Sequence, residues 1–269
     1  MSVFSKVMGP GDGAAWVTGA SAGIGRALCL ALVAEGWTVH ATARRAEPLE
    51  ALAAEAPGPG RIVPRPGDVT DAAAMRGIVE AIEAEETLAL VVLNAGVYTP
   101  MRAQEFDAEI ARRHFDVNLQ GVANALDPVL KAMIARGTGH VALMASVAGY
   151  RGLPDATAYS PSKAGLIAMA EALAMDLVDF GVRISVVNPG FVETEATAVN
   201  TFEMPMLMSP EDAAGRIVAG LKRPGFEIRF PWQFALVLRI IGLLPNRWYI
   251  WAVRKATGWA DTDKTPRQR

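Results

Sequence analysis

The sequence predicts an α/β domain built on a mostly parallel sheet covered by helices on both faces. Two observations carry this. From about Ala14 to about Arg229, short runs rich in Val, Ile and Leu alternate with longer, Ala-rich amphipathic segments. The runs read as strands buried on both faces, and the segments between them are long enough for the crossover helices that parallel strands need. Ala14 to Thr18 is the first strand, followed by a helix to about Gly36. Thr38 to Ala43 precedes a helix ending near Pro57, and Arg61 to Arg65 precedes one over Asp71 to Glu86. Leu88 to Leu93 leads into a long helix around Glu105 to Arg136, and His140 to Ala145 into another around Ala156 to Phe180. Val182 to Val187 is the sixth strand. Asn188 to Met208, with Pro189, Gly190 and Pro205, is irregular. Ser209-Pro210-Glu211-Asp212 then supplies an N-cap, a first-turn proline and acids suited to a helix start. That helix ends near Arg223, and Phe226 to Phe230 is a last strand. No linker or fixed-period repeat interrupts the series. Residues 1–269 are therefore expected to form one domain, with a core over about 14–230 and a helical extension over about 231–259.

Composition narrows the function classes. With 51% hydrophobic and 20% charged residues, the chain is neither disordered nor collagen-like. The longest uncharged run, Thr87 to Met101, has 15 residues and contains Asn94, Gly96 and Pro100; a membrane span needs about 18 apolar residues. A net charge of -2 argues against a nucleic-acid binder. The charge is uneven, however: from Lys222 onward ten Lys and Arg face three acids, a net of +7, which leaves -9 on the preceding residues. The same tail holds four of the six Trp. The single cysteine, Cys29, has no internal disulfide partner and reads as core filler, and Met1 to Gly13 lacks a secretory pattern, so a cytoplasmic protein is expected. His40, His114 and His140 are scattered without metal-ligand spacing and read as structural, with no metal expected.

The first strand runs directly into Thr18-Gly19-Ala20-Ser21-Ala22-Gly23-Ile24-Gly25, which opens the first helix. Glycines at this position let backbone approach a pyrophosphate, whose charge is favoured by free N–H groups and the helix dipole. Taken alone, such a turn is equally a device for tight packing. The spacing G-x-x-x-G-x-G, however, resembles the first-turn signature of the short-chain dehydrogenase/reductase family, and the resemblance recurs in order from roughly Ala14 to Ile228. It implies a Rossmann-type doubly wound sheet of about seven strands with NAD or NADP across the C-terminal strand ends, held at Gly19, Ser21, Ala22, Gly23, Ile24 and Gly25.

Cofactor choice turns on the end of the second strand. An acid there would bind the ribose 2′-OH; Ala43 stands in its place, followed by Arg44 and Arg45. Arg44 suits charge-assisted hydrogen bonds to a 2′-phosphate, so NADP(H) is favoured over NAD(H). Ala22, where NADP-preferring members often carry a second base, weighs the other way. Asp68 and Val69, after Gly67, resemble the family's adenine contact, although Asp68 is also placed to cap the next helix. Asn94-Ala95-Gly96 matches the family's motif beside the cofactor, with the Asn side chain stabilising the sheet edge.

The most specific signal is Tyr159-Ser160-Pro161-Ser162-Lys163, with Ser146 thirteen residues before the tyrosine. Residues i and i+4 share a helix face, so Tyr159 and Lys163 point the same way. A phenol with pKa near 10 is a poor acid or base near neutrality unless a cation favours its phenolate, and Lys163 is expected to supply it. Ser146 is expected to hold the substrate oxygen. The resemblance further implies that Lys163 binds the nicotinamide ribose and that Asn118 holds water in a proton relay, the alternative for Asn118 being a polar helix–helix contact. Pro189-Gly190-Phe191-Val192-Glu193-Thr194 matches the family's P-G-x-x-x-T and implies that Val192 and Thr194 reach the carboxamide or pyrophosphate; a plain turn is the alternative.

The expected reaction is hydride transfer between nicotinamide and a small-molecule carbonyl or secondary alcohol, with a homo-oligomer, dimer or tetramer, as the assembly. Phe202, Met204, Met206, Leu207 and Met208 suggest an adaptable apolar wall for a bulky substrate, or ordinary packing. Tyr98, Met101, Tyr150, Leu153 and Phe191 are candidates for the same pocket. Rival readings are a cofactor-sensing module without turnover, against which Ser146, Tyr159 and Lys163 argue, and an epimerase or dehydratase of the extended relatives, against which glycine spacing and length argue. Trp232 to Leu244 and Arg247 to Thr257 read as two short helices, each too short to span a bilayer. Their Trp, Tyr, Arg and Lys fit either a membrane surface or a hairpin that covers the cleft or packs on another subunit.

Overall fold

The computed structural model describes residues 7–200 and 204–259. Among them, the apolar runs become β1 (Ala14–Thr18), β2 (Thr38–Thr42), β3 (Arg61–Pro64), β4 (Leu88–Leu93), β5 (Gly139–Met144), β6 (Val182–Pro189) and β7 (Glu227–Phe230). All pair in parallel, in the order β3-β2-β1-β4-β5-β6-β7. The helices between them are α1 (Gly23–Ala34), α2 (Ala46–Glu55), α3 (Ala72–Glu85), α4 (Ala108–Phe115), α5 (Gly121–Arg136), α6 (Tyr159–Leu177) and α7 (Pro210–Leu221). The extension forms α8 (Trp232–Gly242) and α9 (Asn246–Ala256). This is the Rossmann-type, doubly wound topology. Its strand order reverses between β1 and β4, which opens a crevice at the carboxyl ends of the strands.

Side chains alternate across each strand, so the central strands β1, β4, β5 and β6 feed two cores. Ala15, Val17, Leu90 and Val92 pack with Leu28, Leu32, Leu49 and Ile217 on the face of α1, α2 and α7. Trp16, Val91, Leu93, Val141 and Leu143 pack with Met75, Ile82, Val129 and Leu166 on the face of α3, α5 and α6. Each fully buried aliphatic side chain contributes about 1.5–3 kcal/mol relative to exposure. Trp16 satisfies its indole N–H on Thr42 Oγ1 at 2.8 Å. Buried Arg183 on β6 donates to the carbonyls of Leu221, Arg223 and Gly225, fastening the end of α7 to the sheet.

Several boundaries differ from the sequence reading. The helix around Glu105–Arg136 is interrupted by a π-helical segment, Asp116–Gln120, between α4 and α5. The Ala156–Phe180 helix starts at Tyr159. Asp71, not Asp68, caps α3, accepting from Ala73 and Ala74 N–H. Ser209 caps α7 as expected, accepting from Asp212 N–H. Cys29 is fully buried, and burial raises its thiol pKa. The three histidines are tied into the protein: His40 to Glu86 and Arg65, His140 to Ser185, His114 to Ile110 and Thr99. Phe202, one of the candidate wall residues, lies outside the described residues.

Candidate active site

Thr18 ends β1 at the switch point and its hydroxyl accepts the N–H groups of Asn94 and Ala95 at 3.0 and 3.1 Å. The Asn94 amide returns two hydrogen bonds to the carbonyls of Thr18 and Gly19. This clamp presses the turn after β1 against the end of β4. Gly19, at φ +69°, has no room for a side chain: a Cβ would lie 2.7 Å from Ala95 Cα. Gly23, at φ +52°, abuts Thr194, with a Cβ placed 2.9 Å from Thr194 Cγ2. The glycine-rich turn and the Pro189–Thr194 turn therefore meet directly. Ala22 at the N-cap of α1 offers no side-chain acceptor, so the first-turn N–H groups are left for a ligand.

These elements border a cleft of about 1740 Å³ above the strand ends. Gly19, Ser21, Ala22, Gly23, Ile24, Gly25, Arg44, Asp68, Val69, Asn94, Ala95 and Gly96 line one part of it. Ser146, Tyr159, Lys163, Pro189, Gly190, Val192 and Thr194 line another. Exposed Arg44 stands at the rim near Asp68, whose carboxyl is held below its usual range mainly by the Thr70 N–H, with further help from the Thr70 hydroxyl and Arg44. The glycine cradle, the uncapped helix start and this arginine together suit the diphosphate and adenosine of a dinucleotide.

Ser146 Oγ donates to Pro189 O at 3.4 Å, and its hydroxyl is close enough to Tyr159 to influence the phenol. Ser146 Oγ also accepts Ala148 N–H at 3.1 Å, which begins a single 3-10 turn over Val147–Gly149. Gly149 lets that turn lie on α6, since a Cβ there would sit 2.8 Å from the Lys163 carbonyl carbon. Lys163 is buried and its Nζ donates to Met144 O at 2.6 Å, 5.7 Å from the centre of the Tyr159 ring. In the cofactor-free protein the Lys163 cation is not the main influence on the phenol. Burial is the main influence and raises the Tyr159 pKa, opposed by the nearby Ser146 hydroxyl, while burial lowers Lys163 to about 8. The Tyr98 ring meets Tyr159 edge-on at 4.9 Å, and buried His114 stands 6.4 Å away. Burial, with Arg113 and Lys163 nearby, holds His114 below its ordinary pKa.

Asn118 does not line the cleft. Its Oδ1 accepts Val97 N–H at 2.7 Å, and its Nδ2 donates to Val97 O and Ser162 Oγ at 3.0 and 3.1 Å. The π segment aims it there, joining the loop after β4 to the residue next to Lys163.

The expected apolar wall is borne out only in part, and the reading of the extension as a hairpin that covers the cleft is the one the structure follows. Tyr98, Leu153 and Phe191 line the cleft, but Met101 is buried beside Ala111 and Ala158, and Tyr150 turns away to Glu227. Met206 and Leu207 are exposed, and Met208 packs on the core. The wall comes instead from the extension, through Phe234, Val237, Leu238, Ile241 and Val253. Gly190 admits it, since a Cβ would lie 3.0 Å from Pro231 and 3.3 Å from Phe234. Arg151 fastens the hairpin by donating to Gly242 O and Leu244 O while stacking on Tyr249, whose hydroxyl donates to Gly152 O. Glu227 adds a second anchor. It accepts from Tyr150 at 2.5 Å, Asn188 at 2.7 Å and Arg229 at 2.6 Å, and pairs with Arg239 of α8 at 3.0 Å. Burial pushes its carboxyl up, but these partners outweigh it and leave the pKa below the ordinary glutamate value.

An open parallel sheet with a glycine cradle at its switch point defines a dinucleotide-binding α/β protein. The family model for short chain dehydrogenases matches residues 13–204. An uncharacterized oxidoreductase of Myxococcus xanthus is 43% identical over 243 residues, covering 90% of this chain and 96% of that one. A 3-oxoacyl-[acyl-carrier-protein] reductase, FabG, of Thermotoga maritima is 36% identical over 188 residues, covering 67% of this chain and 74% of that one. The solved structure of a short chain dehydrogenase from Burkholderia cenocepacia in complex with NADP superposes with a TM-score of 0.76 at 26% identity, covering 99% of this chain and 100% of that one. The chain belongs to the short-chain dehydrogenase family and is an NAD(P)-dependent oxidoreductase.

Proposed function

We propose that the protein reduces a bulky, apolar aldehyde or ketone to the alcohol with NADPH. The observation that carries this reading is the convergence of Ser146, Tyr159 and Lys163 on one cleft whose far wall is apolar. When bound, the dinucleotide supplies the hydride. Tyr159, kept protonated by burial, donates its phenolic proton to the carbonyl oxygen as that oxygen gains charge. Ser146 hydrogen-bonds the same oxygen and orients it toward the phenol. Hydride on carbon and the phenolic proton on oxygen together complete the alcohol, and the phenolate left on Tyr159 is reprotonated from the Lys163 side. Gly96 leaves the room this requires, since a Cβ there would lie 3.5 Å from Lys163 Nζ and 3.3 Å from Asn118 Oδ1. Asn118 acts as a positioning residue, holding Val97 and Ser162.

Arg44 with Ala43 supports NADPH over NADH, as does the NADP carried by the Burkholderia relative. Phe234, Leu238 and Ile241 support an apolar substrate. NADPH oxidation against a graded panel of aldehydes and ketones, with alcohol quantified, tests the reading. Equal moles of NADPH consumed and alcohol formed, with preference for bulky apolar carbonyls, are expected; no carbonyl-dependent oxidation would refute it.

A further inference from the structure

The hairpin α8–α9 has two apolar faces, and the cleft uses one. Trp232, Leu243, Trp248 and Trp251 point outward, 58%, 86%, 50% and 57% exposed. An apolar surface of this kind marks a contact site. Its charge selects the partner. Residues 231–259 contain Arg239, Arg247, Arg254 and Lys255 and no acid. Arg239 is engaged by Glu227, whereas among the described residues Arg247, Arg254 and Lys255 form no ion pair. Arg247 lies over the Trp248 ring at 5.1 Å and Lys255 over the Trp251 ring at 5.3 Å, so each base sits beside an amphipathic ring. Aromatic rings flanked by Lys and Arg are what helices use at the headgroup level of a bilayer. A second copy of the same face would bring like charges together with no acid to compensate. Neither helix spans: eleven residues rise about 16 Å, against a hydrocarbon core of about 30 Å.

We propose that the outer face of α8–α9 docks on the surface of an anionic lipid bilayer. Val237 lines the cleft and is itself half exposed, so the rim of the cleft is continuous with the docking face. Substrate then enters from the lipid, which makes it a carbonyl compound dissolved in the bilayer. This second step rests on the carbonyl-reductase reading; docking does not.

The test is flotation of the full chain, loaded with NADPH, on vesicles of phosphatidylcholine alone or of equimolar phosphatidylcholine and phosphatidylglycerol. Flotation with the anionic vesicles is expected. Arg247→Gln with Lys255→Gln should weaken it about 25-fold, since each base near an anionic surface is worth about 1 kcal/mol, or about fivefold. Trp248→Ser with Trp251→Ser should abolish it. Both double variants should keep wild-type NADPH oxidation on a water-soluble aldehyde and lose it on a long-chain aldehyde dissolved in the vesicles. Protein left at the bottom with both vesicle types overturns the docking, as does undiminished flotation of the tryptophan variant. Self-association that the tryptophan variant abolishes also overturns it, in favour of a second copy. Flotation with unchanged turnover of the vesicle-borne aldehyde overturns delivery alone. Flotation without any carbonyl-dependent NADPH oxidation upholds docking and overturns the reductase reading together with delivery.

Discussion

Replacing Lys163 by Met keeps an unbranched stem of similar length and removes a buried titrating group. In the folded, cofactor-free protein Lys163 titrates at about 8, lowered by burial from 10.5. That displacement corresponds to about 3 kcal/mol of preference for the neutral form. The unfolded chain holds the proton up to about pH 10.5 and the folded protein only to about pH 8, so the unfolded state binds more protons across this window. Stability contributed by the site therefore rises with pH there, and below about pH 8 the full penalty of burying the ammonium is present. The wild type should gain on Lys163→Met by about 2 kcal/mol from pH 7 to pH 9.5, and by about 3 once pH passes 10.5. Urea unfolding of both proteins across this range measures the difference, in which groups common to both cancel. Parallel curves would refute the claim that Lys163 is held in a desolvated pocket.

Two other substitutions address the cofactor and the extension. Arg44→Asp should raise the KM for NADPH by about ten- to a hundredfold, the worth of a hydrogen bond to a charged group, and improve NADH relative to it; steady-state kinetics with both cofactors checks this, and an unchanged ratio removes Arg44 from the argument. Glu227→Gln should destabilise the protein by about 1–3 kcal/mol near neutrality. Because the Glu227 pKa is depressed by folding, this advantage of the wild type is present above the ordinary glutamate value and is lost as pH falls from there through the lower folded pKa. Thermal unfolding against pH reads that convergence, and the KM for bulky carbonyls should rise while kcat for a small aldehyde holds.

The cofactor cradle and the Ser146, Tyr159, Lys163 set were legible because local geometry determines them. A turn must follow β1 at the switch point, and residues four apart on α6 share a face. The Arg44 position was legible for the same reason, as the end of a strand read from its apolar run. The substrate wall was legible only in part, as a hairpin able to cover the cleft, because its composition depends on contacts distant in sequence. Met204 to Met208 carried a plausible pattern, yet Glu227, Arg151 and Gly190 dock α8–α9 over the cleft instead. The Asn118 bond to Ser162 on α6 matches the polar helix–helix alternative, but its link to Val97 was hidden, since nothing in Asp116–Gln120 announces a π segment. The tail's orientation was half visible: its Trp and basic residues were plain, but which side faces the protein depends on where Arg151 and Glu227 hold it.

The proposed reduction depends most directly on the proton carried by Tyr159, and Tyr159→Phe isolates it by removing one oxygen from the cleft. With saturating NADPH and a carbonyl accepted by the wild type, the variant is expected to bind NADPH with wild-type affinity by fluorescence titration and to form no measurable alcohol. Alcohol formation at a comparable rate, with the pH profile of the wild type, would contradict it.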